Sequence, residues 1–435
     1  MIKVIITITL FIFSVAFSFG QKQWSLQECV DYALENNISL KRAHLNTDYS
    51  KEDITIAKAR LLPNVTASAS QNIGIGNKYK RFNPSNNFGV SASYNIYNGG
   101  RNKLLIEQAK NLVETNNFNL ETLQSNISLQ VANNYLNALF NKENIKLANE
   151  QINITTIQIN KMKELIDAGV KPRAELLDIQ ATLASNKEQL TTSENALDLS
   201  LLNLAQLIQV PSRNFDIQDV TINLDKAILT YSNSDGIYQK AYETRPEIKN
   251  AEMDIKNAEL GIKIAKTDLL PNVNASYGLN TSYAYRLSGD GKFKNIADQY
   301  FDNHGHNFGI SASYTIFDGN SLKASIRKAK INKEIIEQGL EDEKLRLRET
   351  IERAYLDAKA SLKQYESSLS SLKAQEESFN IANERYKLGA MNSFDFDLVK
   401  SRLFNSKIAV INAKYNFVFK SKVLDYYNGI SITIN

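Results

Sequence analysis

The chain states one pattern twice. The segment AKARLLPNV at Ala57 to Val65 returns as AKTDLLPNV at Ala265 to Val273, and NFGVSASYNIYNGG from Asn87 returns as NFGISASYTIFDGN from Asn307. The matched prolines, Pro63 and Pro271, are 208 positions apart, and the matched Asn-Phe-Gly triplets and the glycines Gly169 and Gly389 are each 220 apart. A period of about 210 residues is far longer than that of a solenoid, so the chain is two copies of one large unit and its fold has to work twice. The copies are expected over 21–228 and 229–435, behind a leader over 1–20. Each is expected to hold a helix, a β-hairpin (about 63–98 and about 271–317), a long helical hairpin (about 102–209 and about 321–428) and a trailing segment.

The leader reads as a secretory signal. Lys3 supplies the charge, Val4 to Phe17 the apolar run, and Ser18-Phe19-Gly20 a small-residue cleavage site, so the cut is expected near Gly20 and the protein is expected to be exported. An uncleaved anchor is the other reading, and the run falls short of the ~20 residues a span needs. Cys29 is the only cysteine and excludes an internal disulfide. It lies beyond the cut, where it is expected to pack as a small hydrophobe and not to carry lipid. The balance of 51 basic to 47 acidic residues leaves +4, too little to call for nucleic acid.

Ser25-Leu26-Gln27-Glu28 has the spacing of a capping box, and a helix is expected from there toward Leu61, broken near Asn36 to Ser39. Its duplicate runs from Ile237 to Leu269, with Pro246 opening the second segment as proline does in a first turn. Both end at Leu-Leu-Pro-Asn, where the period changes from 3.6 to 2. Phe88, Val90, Ala92, Tyr94 and Ile96 share one face against Gly89, Ser91, Ser93 and Asn95; Phe308, Ile310, Ala312, Tyr314 and Ile316 repeat the arrangement. Strands of about ten residues with aromatic rims and a small polar face fit a bilayer crossing, while a soluble hairpin on a core gives the same alternation. The lipid face is then Phe88, Val90, Tyr94, Phe308, Ile310 and Tyr314.

Only six prolines and 18 glycines interrupt 435 residues, and none falls between Asn102 and Ala168. As one helix that stretch would extend ~100 Å. Ile145, Ala148, Ile152, Thr155, Ile159, Met162 and Ile166 alternate steps of three and four, the seam of a coiled coil. The chain turns back at Gly169, with Leu197, Leu201, Leu204 and Ile208 in the return seam, and the second copy turns at Gly389. Val210 to Asn233 reads as a connector with a short β-like run at Val220 to Leu224. Four strands are too few to close a barrel, so chains would have to pool them: eight strands from two chains, or twelve from three.

The opening WSLQECVDYALENN, the second-copy AYETRPEIKNAEMDIKNAELGIKIAKTDLLPNV, the paired strand motifs and the tips LIDAGVKPRAELLDIQ and RYKLGAMNSFDFDLVKSRL resemble the TolC-type outer membrane efflux proteins across nearly the whole mature chain. The resemblance implies a mainly α fold of long antiparallel helical hairpins forming a coiled-coil barrel. It also implies four transmembrane β-strands per chain, contributed to a shared twelve-stranded β-barrel in a homotrimer. Such a protein is a porin-like channel in the outer membrane of a Gram-negative bacterium, in contact with outer membrane lipid and reaching into the periplasm. It serves as the exit duct of a tripartite efflux or type I secretion system, with a periplasmic adaptor protein and an inner membrane pump, proton-driven or of ABC type.

Carried onto this sequence, the family's gate places an acid at Asp395, whereas its second acidic position holds Leu398 and Asp397 is the nearest substitute. Tyr386 and Glu175 fall where the family holds its tips together, and Met391 replaces the tip arginine, leaving Arg385 as a candidate latch. Gly169 and Gly389 mark the tips where the adaptor docks. The local readings differ: Asp395 and Asp397 lie in a first helical turn, where carboxylates meet the helix dipole, Tyr386 packs, and the glycines supply left-handed turns. His304 and His306 form a His-x-His pair in the second strand connection, and with no third ligand evident a solvated loop is the expected reading. No phosphate loop, nucleophile motif or Cys/His cluster points to an enzyme, a cofactor or a metal centre. An exported coiled-coil scaffold is the alternative to a channel, and it leaves the amphipathic strands without a purpose.

Overall fold

In the computed structural model the described residues are 22–76, 79–220, 228–284 and 295–430. The leader with its cleavage site, most of the β-like run at Val220 to Leu224, and the tail beyond Ile430 lie outside them. The described elements are β1 Gln23–Trp24, α1 Leu26–Asn36, α2 Ile38–Ala59, β2 Asn64–Gly76, β3 Tyr79–Tyr97, α3 Arg101–Asp167, α4 Arg173–Ile208, β4 Asp216–Ile217, α5 Asp235–Thr244, α6 Pro246–Thr267, β5 Asn272–Ala284, α7 Ile296–Asp302, β6 Gly305–Ser313, α8 Ser321–Lys387 and α9 Ser393–Tyr427. The capping box forms at α1: the Ser25 amide donates to Glu28 Oε2 at 2.9 Å and the Glu28 amide to Ser25 Oγ at 3.2 Å. Both α3 and α8 are unbroken over 67 residues; neither contains a proline, and α8 runs on through the single interior glycine, Gly339.

The chain divides into two compact units, each drawing on both halves of the sequence. One comprises Met1–Arg42, Leu120–Pro246 and Lys344–Asn435; the other comprises Ala43–Asn119 and Glu247–Glu343. In the first unit, β1 and β4 pair in parallel, which ties the connector to the start of the chain. Buried Tyr135 places its hydroxyl 3.2 Å from the carbonyls of Trp24 and Gln218, and Lys142 donates to the Ile217 carbonyl at 2.6 Å and pairs with Asp216 at 2.8 Å. Cys29 is fully buried in α1, whose other buried residues are Leu26, Val30 and Ala33, as a small hydrophobe would be.

The second unit holds the four long strands, and here the barrel expectation is corrected. The two hairpins join where β3 pairs with β5, giving one antiparallel sheet in the order β2-β3-β5-β6. That sheet is open. No closed β-barrel, no porin-like wall and no set of membrane-crossing strands is found among the described residues, and the fold is a mainly α-helical one carrying an open sheet. Four strands span too narrow an arc to curl back onto the first, so β2 and β6 remain edges. The pairing aligns side chains in rows across the sheet. Ala67, Val90, Leu279 and His306 lie in register on one face, and Thr66, Ser91, Gly278 and Asn307 on the other.

The last strand is also shorter than its sequence pattern. Asn272↔Ser313 is the final pair of β5 and β6, and the next position on β5 is Pro271, which has no amide to donate. β3 continues to Tyr97 because it has β5 beside it, whereas β6 has no second neighbour and Tyr314 falls outside the sheet. The short helix α7 packs on β5, with the Tyr300 ring edge-on to Phe88 at 5.4 Å and the Thr281 hydroxyl donating to the Tyr300 carbonyl at 2.7 Å. No described helix is long and apolar enough to cross a membrane.

Candidate functional site

The turns that join the long helices sit in the first unit and are built alike. Gly169 and Gly389 have φ of +73° and +72°, the left-handed region that costs glycine least. At the first turn the Gly169 amide donates to the Ile166 carbonyl and the Val170 amide to Leu165, both at 2.8 Å; Gly389 to Tyr386 and Ala390 to Arg385 repeat the pair. These two bonds are the Schellman end of a helix, and they satisfy carbonyls that would otherwise be orphaned. Both glycines are exposed, and a Cβ at either would meet nothing within 4 Å, so backbone conformation alone accounts for the residue type.

Behind each turn lies a small core, and the copies fill it differently. In the first, Ile159, Met162 and Ile179 are buried with Ile166, Leu176 and Leu183 against them. In the second, Phe379, Tyr386 and Phe396 stand where the repeat spacing puts Ile159, Ile166 and Leu176. The Tyr386 ring stacks on Phe396 with centroids 4.5 Å apart and planes 12° apart, and Phe379 lies 5.6 Å from Phe396 on tilted planes. Phe396 is buried, and such a stack is worth about 1 kcal/mol beyond the area it covers. Burial pushes the Tyr386 phenol above its ordinary value, and the negative charges of Asp397 and Glu175 push the same way.

Deeper still, a lysine is buried. Lys400 on α9 is 1% exposed, and its ammonium reaches Gln158 Oε1 at 2.6 Å, Asp397 Oδ1 at 2.7 Å and Thr155 Oγ1 at 3.2 Å. Those three partners match its three hydrogens. Asn186 on α4 donates to Thr155 Oγ1 at 2.9 Å, and the Gln158 amide donates to Asp397 at 3.3 Å. One cation thus ties α3, α4 and α9 together. A buried charge survives only when so paired and hydrogen-bonded, and losing a partner costs more than the pair contributes.

The residues singled out from the sequence fall as follows. Asp397 is half-buried and committed to Lys400, while Asp395 is exposed in the first turn of α9, accepting from Asn392 Nδ2 at 2.9 Å while its amide donates to Asn392 Oδ1 at 2.8 Å. Glu175 opens α4 and pairs with Lys171 at 3.1 Å. The Arg385 side chain is exposed, and its carbonyl serves the turn. Phe88, Val90, Phe308 and Ile310 share the exposed apolar face of the open sheet with Tyr94, and Tyr314 is exposed beyond its end. His306 belongs to β6 and not to a loop; His304 precedes it. Lys400, Gln158, Thr155 and Asn186 were missed. The available signal was a lysine on the apolar stripe, four residues after Phe396 and three before Leu403, and polar Asn186, Ser193 and Ser200 buried at steps of seven on α4.

The profile of the outer membrane efflux protein family matches the chain twice, over residues 29–209 and 237–425. Nodulation protein T of Rhizobium leguminosarum bv. viciae is 20% identical over 70% of this chain, which spans 61% of that protein. Outer membrane protein TolC of Vibrio cholerae is 20% identical over 91% of this chain and 88% of its own. The crystal structure of the outer membrane protein VceC from Vibrio cholerae superposes with a TM-score of 0.74 at 16% identity, over 93% of this chain and 96% of that one. Membership in an efflux family sets the protein outside the enzymes. The chain belongs to the outer membrane efflux protein family, the TolC-type proteins, and is an outer membrane channel placed in the outer membrane and the periplasm.

Proposed function

We propose that three copies of the chain form one passive exit duct, which a periplasmic adaptor protein joins to an inner membrane pump, proton-driven or of ABC type. The observation that carries the assembly is an unpartnered seam. Leu45, Tyr49 and Ile56 on α2 recur at steps of four and seven and are exposed, as are Ile331 and Ile335 on α8. Apolar side chains at coiled-coil spacing want another helix, and in a family duplicated within each chain the partner is a second copy. Native mass spectrometry of the detergent-extracted protein tests it, and a monomer as the only species rejects it.

In this reading the turns at Gly169 and Gly389 are the tips offered to the adaptor, and the apolar row Phe88, Val90, Tyr94, Phe308, Ile310 and Tyr314 is the surface offered to outer membrane lipid. Three copies of exposed Asp395 make a ring of carboxylates that repels anions, while Tyr386, Glu175 and Arg385 latch the tips. Asp397 contributes less to such a ring, since Lys400 offsets its charge. Cation selectivity in a planar bilayer decides: Asp395→Asn lowers it, and unchanged selectivity removes Asp395 from the gate. The signal cut near Gly20 is checked by the mass of the exported protein.

A further inference from the structure

We propose that His304 and His306 form a surface site for a divalent transition-metal ion, held by the two Nε2 atoms and completed by water. The pair brackets Gly305 where the chain enters edge strand β6, His304 just before the strand and His306 within it. Their rings lie 6.0 Å apart at 88° to one another. Two imidazoles on one ion, with metal–nitrogen distances of about 2.0–2.1 Å, hold their centroids roughly 5–6 Å apart, so small side-chain rotations bring both nitrogens to the ion. Both residues are exposed, and a Cβ on Gly305 would meet nothing within 4 Å, so an ion has access.

The other ring nitrogens are already in use. His304 Nδ1 donates to the Phe301 carbonyl, which can only accept, so the proton sits on Nδ1 and Nε2 keeps its lone pair. His306 Nδ1 lies 2.7 Å from the Tyr277 hydroxyl, an oxygen able to accept the Nδ1 proton and leave Nε2 free for the ion. A hydrogen bond from the far nitrogen to a carbonyl or hydroxyl orients a ligating histidine and makes it a better donor. No group of three His, Cys, Asp or Glu side chains able to hold a metal exists among the described residues, so water fills the remaining positions. Two imidazoles favour Cu²⁺ over Ni²⁺ and Zn²⁺. The ion would tie the end of α7, through Phe301, to the outer strand of the sheet.

The test is titration of the full-length protein in detergent with Cu²⁺ alone, followed by calorimetry and electron paramagnetic resonance. The chain has three histidines, so His44→Ala is an internal control. The expected result is one ion per chain with hyperfine splitting from two imidazole nitrogens. Affinity should fall by about tenfold or more in both His304→Ala and His306→Ala, and stay unchanged in His44→Ala. Binding that persists in the His304→Ala/His306→Ala double variant, binding lost in His44→Ala, or a spectrum with fewer than two imidazoles overturns the proposal. The side chains are exposed, so the variants fold, and far-ultraviolet circular dichroism verifies it.

Discussion

The Lys400 ammonium lies 2.6 Å from the Gln158 amide oxygen, although 242 residues of chain separate the two. The contact joins the second copy's return helix to the first copy's long helix, and Asp397 and Thr155 complete the shell. A cation so enclosed fixes the register of the helices it touches, because a slip by one residue leaves it in an apolar seam without partners.

Lys400→Met keeps the apolar stem and removes every donor. Asp397 and Gln158 then lose charge-assisted bonds, and the loss is expected to be on the order of 2–3 kcal/mol. Adding Asp397→Asn removes the stranded carboxylate and should recover part of it. Trp24 is the only tryptophan and belongs to the same unit, so urea unfolding followed by its fluorescence reads both variants. Equal midpoints for Lys400→Met and the parent would show that the network contributes nothing to stability.

Gln209→Gly is expected to stabilise. Gln209 closes α4 at φ +66°, with its amide donating to the Gln206 carbonyl and the Val210 amide to Ala205. The duplicate position holds Gly429 at φ +75° with the same two bonds. A side chain in the left-handed region costs about 1 kcal/mol relative to glycine, so the melting midpoint should rise by a few degrees. A lower midpoint would mean that the Gln209 side chain contributes more than the strain it causes.

Alkaline pH should weaken the first unit through Tyr231. Its hydroxyl donates to Asp425 Oδ1 at 2.8 Å, and its ionisation is pushed up to about 12, by burial first and then by the bond to Asp425 and its charge. The folded state therefore holds the proton more tightly than the unfolded one. The stabilisation is complete below the ordinary tyrosine value of 10.0 and is lost as pH rises through about 12. Tyr231→Phe should flatten that loss when unfolding is compared across this range, and a parent-like slope would reject the assignment.

Cys29 should be silent toward maleimide in the native protein. Burial pushes its thiol up to about 12, with the Glu28 charge acting in the same direction, so almost no thiolate exists near neutrality and the sulfur is out of reach. Labelling should appear only with unfolding, one label per chain. Rapid labelling without denaturant would contradict the packing of α1.

Periodicity, caps and breakers are local, and the sequence displayed them. The steps of three and four in α3 predict a buried seam, and Ala148, Thr155, Ile159 and Met162 are buried. Ser25-x-x-Glu28 formed its capping box, Pro246 opened α6, and Gly169 and Gly389 took the left-handed turns. Each depends on side chains within one or two helical turns, so a single sequence suffices to read it. The duplication, too, was legible, down to the 220-residue spacing of the tips.

Tertiary structure decided what sequence spacing does not encode. The alternation around Phe88 and Phe308 is equally consistent with two hairpins or with one sheet, and only the pairing of β3 with β5 made a single open sheet. The end of β6 at Ser313 depended on Pro271, far away in sequence and opposite only in the fold. Lys400 resembles a solvated lysine until Gln158, Thr155 and Asp397 surround it. Burial of a charge is a property of the assembled neighbours, and a hydrogen-bonding partner hundreds of residues away leaves no mark on local composition.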